Sequence, residues 1–181
     1  MDSQGNSYVC DFLNHRVQKF NPAGTYLTQW GTQGSGPGQF ETAFGVLVDA
    51  ADNVWIADGG NHHVQKFSPT GAYLFGFGTQ GSGPGQWDSP GRPCIDSDGR
   101  LLVPDQGNSR IQAYTQQGQF ILAWGTLGTA SAQFNHPTTV ATDAAGTVYV
   151  LDKDNDRVQK FASVSTPVAR TSWGAVKQRF R

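Results

Sequence analysis

The chain has 181 residues, a formal charge of −1 and a pI near 6.4, with 37% hydrophobic and 12% aromatic residues. That is enough apolar material to bury a core, which excludes a disordered chain, and a nearly neutral chain offers no overall field to attract a phosphate backbone, which disfavours a general nucleic-acid role. The 23 glycines and 9 prolines exclude a mainly helical protein, because each costs about 1 to 3 kcal/mol inside a helix.

No apolar run approaches the ~18 residues of a membrane span, so no membrane partner is expected. The opening residues Met1 to Gly5 lack the charged and apolar regions of a signal peptide, and the chain begins inside a repeat. Cys10 and Cys94 fall at non-equivalent repeat positions and match neither a disulfide framework nor a metal-site spacing.

The segment NHRVQKF at Asn14 to Phe20 returns as NHHVQKF from Asn61, NSRIQAY from Asn108 and NDRVQKF from Asn155, each time after 47 residues. In the same register, GTQGSGPGQF at Gly31 matches GTQGSGPGQW at Gly78 and, more loosely, GTLGTASAQF at Gly125. Asp11, Asp58, Asp105 and Asp152 also fall in step. Helical repeats and propeller blades both have periods near this length, so the pattern within one unit has to decide.

In the second unit, taken in chain order, four short apolar runs predict strands: a, Gly45 to Asp49; b, Asn53 to Asp58; c, His63 to Phe67; and d, Ala72 to Phe77. Between a and b, Asp52 alternates with Gly5, Gly99 and Gly146, the substitution set of a residue held at positive φ in a hairpin. Between c and d, Pro22-Ala23-Gly24 and Pro69-Thr70-Gly71 place proline early and glycine late, as a second turn requires. Along strand d, Tyr73, Phe75 and Phe77 share one face, as do Phe120, Leu122 and Trp124. That aromatic face needs a cover, which blades stacked around an axis supply. Strand c alternates less cleanly, with Lys66 on the side of Val64.

The expected fold is all-β: propeller blades of four antiparallel strands, about four of them, in one repeat domain over 1–181. The blades span about 1–40 (partial), 41–87, 88–134 and 135–174, with a tail at 175–181. The tail is either a degraded linker or a strand closing a four-bladed ring. An open arc leaves two blade faces bare and predicts self-association through them.

With those residues in view, the chain resembles the NHL repeat family, through Asn14-His15-Arg16 and Asn61-His62-His63, the GSGPGQF run before strand a, the Asp that ends it and the VAD-like end of strand b. The resemblance covers nearly the whole chain. Ser109 and Asp156 replace the motif histidine, Thr129 to Ala132 replaces the glycine-rich run, and the last c to d turn is two residues longer before Trp173. The resemblance implies a six-bladed ring of which this chain would be a part.

In a propeller the b to c loops and the d to a linkers share one end, so candidate binding residues converge there: His15, Arg16, His62, His63, Arg110 and Arg157. Asp11, Asp105 and Asp152 stand five residues before Arg16, Arg110 and Arg157, so a carboxylate and a guanidinium can meet at each loop base. With Asp58 and the turn formers Asn14, Asn61, Asn108 and Asn155, these repeated groups are expected to shape loops rather than react, since chemistry needs one asymmetric site.

Catalysis has no positive signal. The histidines His15, His62, His63 and His136 include no HExxH-type pair, Asp152 to Asp156 lacks the glycine and glutamate of a calcium loop, and no Gly-Lys-Ser/Thr follows the glycine runs. No catalytic residue, metal site or cofactor is therefore expected, and the leading reading is a non-catalytic scaffold that binds a protein through its loop face. The resemblance leaves two alternatives: part of a metal-dependent propeller lyase of the peptidyl-amidoglycolate type, or an RNA-binding module.

Overall fold

The computed structural model describes residues 1–162. The tail at 175–181 and the lengthened turn before Trp173 lie outside the described residues. Sequential antiparallel sheets follow one another: Ser7–Asp11, Arg16–Phe20 and Tyr26–Trp30; then Ala43–Val48, Val54–Asp58, His63–Phe67 and Tyr73–Phe77. The third is Cys94–Ile95, Leu101–Asp105, Arg110–Tyr114 and Phe120–Trp124, and the fourth Pro137–Thr142, Val148–Asp152 and Arg157–Phe161. These are blades 1 to 4, with strands named a to d from the inner edge outward. In the linkers, Thr32–Gln33 pairs in parallel with Gln39–Phe40, and Thr79–Gln80 with Gln86–Trp87.

The turn chemistry holds. Asp52, Gly5, Gly99 and Gly146 have φ of 64°, 79°, 76° and 77°, and each closes its a to b hairpin by donating to the Asp three residues earlier, as Asp52 does to the Asp49 carbonyl at 2.9 Å. Strand a of blade 2 is displaced from the expected Gly45 to Asp49, starting at Ala43 and stopping at Val48, because the Asp49 carboxylate turns back on the hairpin, accepting the N–H groups of Ala51 and Asn53. In blade 3 it shrinks to Cys94–Ile95, next to Pro93, which has no N–H to give the ladder.

The core lies between blades. Tyr8 and Val17 of blade 1 meet Phe40, Val54, Ile56 and Phe67. The next junction joins Trp55 and Val64 to Trp87, Leu101, Val103 and Tyr114, and the third joins Leu102 and Ile111 to Phe134, Val148, Val150 and Phe161. Each blade thus has an upstream face toward the blade before it and a downstream face toward the blade after it.

The aromatic face of strand d is covered only in part. Phe75 packs edge-on against Trp55 at 5.7 Å and Phe77 against Trp87 and Tyr114 at 5.3 and 5.1 Å, whereas Tyr73 stays exposed. Blades radiating from an axis splay apart toward the rim, so the outermost strand has less to lie against. Lys66 breaks the alternation of strand c for a reason: its ammonium pairs with Asp49 at 3.0 Å and sits 4.4 Å above the Trp55 ring.

Candidate functional site

The b to c loops and the linkers form one end of the molecule, where the repeated polar residues build a clasp. In blade 3, Arg110 Nε donates to Asp105 Oδ2 at 2.7 Å and Asn108 donates to both Asp105 oxygens at 2.9 and 3.0 Å. The clasp then reaches into the linker before it. Arg110 donates to the carbonyls of Gly83 and Gln86 at 2.9 and 3.0 Å, Asn108 to Gly81 at 2.8 Å and Gln112 to Gln86 at 2.7 Å. Asp105 in turn accepts the Asp88 N–H at 2.8 Å.

Blade 4 repeats this: Arg157 pairs with Asp152 at 2.7 Å and donates to the carbonyls of Thr129, Ala130 and Gln133, while Asn155 reaches Gly128 at 2.9 Å. In blade 2 His63 takes the arginine position, with Nε2 3.5 Å from Asp58, and Asn61 bonds Gly34 at 2.8 Å. Asp58 and Asp152 are held below the ordinary carboxylate range. Burial pushes both upward, but hydrogen bonds outweigh it, chiefly from His63 and the Thr42 N–H at Asp58 and from the Asn135 N–H and Asn155 at Asp152.

In blade 1 Arg16 pairs with Asp11 at 2.8 Å and Asn14 bonds it at 2.9 Å, but Arg16 next turns to the Gln29 side-chain oxygen at 2.9 Å. The candidate binding residues therefore differ in freedom. Arg110 and Arg157 are bound into linker carbonyls, and His63 lies against Asp58 and 3.0 Å from Gln65. His62 accepts the Ser89 N–H at 3.2 Å, and His15 Nδ1 is shielded without a hydrogen-bond partner. His15 and His62, with Ser109 and Asp156 at the same repeat position, all have φ between 50° and 54°. The second letter of the motif thus occupies the left-handed region.

The same end carries residues that sequence reasoning passed over. Phe12, Leu13 and Phe44 are 39%, 78% and 53% exposed, and the two phenylalanine rings lie 5.1 Å apart. Their repeat equivalents are not apolar: Gly59, Gln106 and Lys153 match Phe12; Gly60, Gly107 and Asp154 match Leu13; Gly91 and Thr138 match Phe44. That departure from the repeat was the signal available in the sequence.

A second repeated group lies at the opposite end. Asp49, Trp55 and Lys66 form a set through a 3.0 Å indole N–H bond and the 3.0 Å ion pair, and Asp2, Tyr8 and Lys19 match it, with the Tyr8 hydroxyl 2.9 Å from Asp2. Along the inner strands runs a cleft of about 620 Å³, lined by Val46, Val48, Arg92, Cys94, Thr139 and Ala141 among others. Among the described residues, no three His, Cys, Asp or Glu side chains come together as a metal-binding group.

Stacked antiparallel blades, two of four strands and two of three among the described residues, joined by linkers on one end define a β-propeller arc. The NHL repeat profile matches residues 45–67 and 134–161, in blades 2 and 4, which supports the NHL repeat for those segments. Solved structures agree in fold. A protein of unknown function from Bacteroides thetaiotaomicron aligns with a TM-score of 0.74 at 17% identity, covering 90% of this chain and 46% of that one. An auxiliary nutrient binding protein from Bacteroides ovatus aligns at 0.65 and 20% identity, covering 87% and 45%. Virginiamycin B lyase from Staphylococcus aureus aligns at 0.62 and 12% identity, covering 92% and 55%. The chain spans about half the length of these structures, and at such identities the likeness is one of fold. Among curated proteins, none matches.

Proposed function

We propose that this propeller arc is a non-catalytic module that binds a protein partner through its loop face, centred on Phe12, Leu13 and Phe44. The observation that carries the reading is their exposure at a single blade junction where every other blade places glycine or a polar residue. A group every blade needs is repeated; an unrepeated apolar patch has no duty in the repeat. Adjacent aromatics on a rigid frame, bordered by polar groups, are what interface anchors are made of. His15 and Arg16 follow in the same loop and supply that border, with His62 on the neighbouring loop; His63, Arg110 and Arg157 contribute only what their clasps leave accessible.

The metal-dependent lyase alternative draws on the family resemblance and on likeness of fold to virginiamycin B lyase, and the carboxylates of Asp58, Asp105 and Asp152 accept backbone N–H groups rather than pointing into a shared cavity.

The test is quantitative capture on the immobilised chain against the Phe12→Ser/Phe44→Ser variant. Proteins retained by the parent and lost at least tenfold by the variant, with unchanged circular dichroism, are the expected result. Identical capture by both would overturn the reading.

A further inference from the structure

The charges around the patch of Phe12, Leu13 and Phe44 do not balance. At the loop end, Arg16, Arg110 and Arg157 are each matched by the aspartate of their own clasp, Asp11, Asp105 and Asp152, at 2.8, 2.7 and 2.7 Å, and Lys153 stands 3.8 Å from Asp154. Blade 2 departs from this pattern. There His63 puts an imidazole where the other blades have a permanent cation, and the remaining donors to Asp58 are the uncharged N–H groups of Glu41, Thr42 and Asn61.

The two linkers beside the blade 2 loop add a carboxylate each. Glu41 is exposed and lies over Gly60, where a Cβ would come within 2.9 Å of the Glu41 Cβ. Asp88, its side chain 52% exposed, stands 3.8 Å from His62 Nδ1. Phe44 reaches the same loop, its ring 3.7 Å from the place of a Cβ on Gly59. Among the described residues, then, Glu41, Asp58 and Asp88 pair with no arginine or lysine and gather on the loop that Phe44 touches. Arg92, the arginine left without an ion pair among the described residues, lines the cleft along the inner strands.

The fold itself does not require the charge of Glu41 and Asp88. They occupy one repeat position, whose third member is Asn135. All three serve the clasp through the backbone alone, donating an N–H to Asp58, Asp105 and Asp152 at 3.0, 2.8 and 2.6 Å. Asn135 shows that the clasp closes without a carboxylate side chain there.

We propose that the partner offers a cationic segment, in which lysine or arginine side chains flank a bulky apolar anchor. The anchor seats on Phe12, Leu13 and Phe44, and the flanking cations meet Glu41 and Asp88 in the field of buried Asp58. Charge of one sign beside an anchor speeds encounter and selects against like-charged partners. The proposal rests on the loop-face reading and adds the chemistry of what that face takes.

A displayed library of random peptides, selected on the full chain, tests it. Enriched peptides are expected to carry lysine or arginine next to an aromatic or leucine anchor, and to bind more weakly as sodium chloride is raised. Glu41→Gln/Asp88→Asn is expected to weaken them about fivefold, since two exposed charges are lost, and Glu41→Lys/Asp88→Lys to turn the selection toward acidic peptides. Phe12→Ser/Phe44→Ser is expected to abolish their binding. The charge variants alter side chains that the clasp does not use, and circular dichroism with thermal unfolding verifies that each folds. Peptides that need Phe12 and Phe44 but are neutral or acidic, or that bind Glu41→Gln/Asp88→Asn as tightly as the parent, would overturn the cationic partner and leave the loop-face reading standing. A selection in which no enriched peptide depends on Phe12 and Phe44 would overturn both.

Discussion

Arg110 Nε and Asp105 Oδ2 lie 2.7 Å apart beneath the blade 3 loop, the carboxylate fully buried and the guanidinium extended onto the carbonyls of Gly83 and Gln86. The pair joins two elements that are 24 or more residues apart in the chain, so its loss is felt at a blade junction and not only in one loop. Removing one partner leaves a buried charge uncompensated. Asp105→Ala is expected to lower stability by about 3 kcal/mol in urea unfolding. Asp11→Ala, in the clasp that holds no linker, is expected to cost markedly less; equal losses would mean that linker contacts contribute nothing.

Ser109 has φ of 52°, in the region where a side chain other than glycine, asparagine or aspartate is strained. Ser109→Val is expected to destabilise by about 1 to 2 kcal/mol, because a branched Cβ crowds the following carbonyl there. Ser109→Gly is expected to fall within about 0.5 kcal/mol of the parent or above it. Thermal unfolding of the pair decides, and a tolerated valine would contradict the left-handed assignment.

Stability should fall in acid. Asp2, Asp49, Asp58 and Asp152 all lie below their ordinary value of 3.8: burial raises each, and hydrogen bonds led by Asn6, Lys66, His63 and the Asn135 N–H respectively outweigh it. A carboxyl depressed in the folded state contributes stability that is fully present above its unfolded value and is lost as pH falls through its folded value. The melting temperature at constant salt is expected to drop steadily below about pH 4. Equal melting temperatures at pH 3 and pH 5 would refute the assignment.

Burial pushes the thiols of Cys10 and Cys94 up to about 12. Since the thiolate is the nucleophile, alkylation at pH 8 should run on the order of 1,000-fold slower in the native protein than in denaturant. Mass spectrometry after timed iodoacetamide treatment measures both sites, and rapid native labelling of either would show that its environment is more open.

Much of the fold was legible because its determinants are local. A 47-residue period, alternation at every second position and residues suited to positive φ each act over a few bonds, so strand c appears at His63–Phe67 as expected and the a to b turns close where Gly5, Asp52, Gly99 and Gly146 stand. The Asp and Arg spacing was legible too, since five residues across a tight hairpin return opposite one another, as the pairing of Asp105 with Arg110 shows. Less legible were the linker contacts of those same side chains. Gln112 and Gln86 are separated by 26 residues, and nothing in either short segment indicates that one amide will hold the other's carbonyl.

The sequence by itself determined the blade, its turns and the count of repeats, for these follow from dihedral preference and apolar periodicity along the chain. Only the tertiary structure decided which equal residues become unequal. Val9 and Ile56 occupy one repeat position, yet one is bare and the other sealed, because burial belongs to the neighbouring blade and not to the residue. Phe12, Leu13 and Phe44 look like core in composition and lie on the surface for the same reason: a hydrophobic side chain is buried only where another element arrives to exclude water from it.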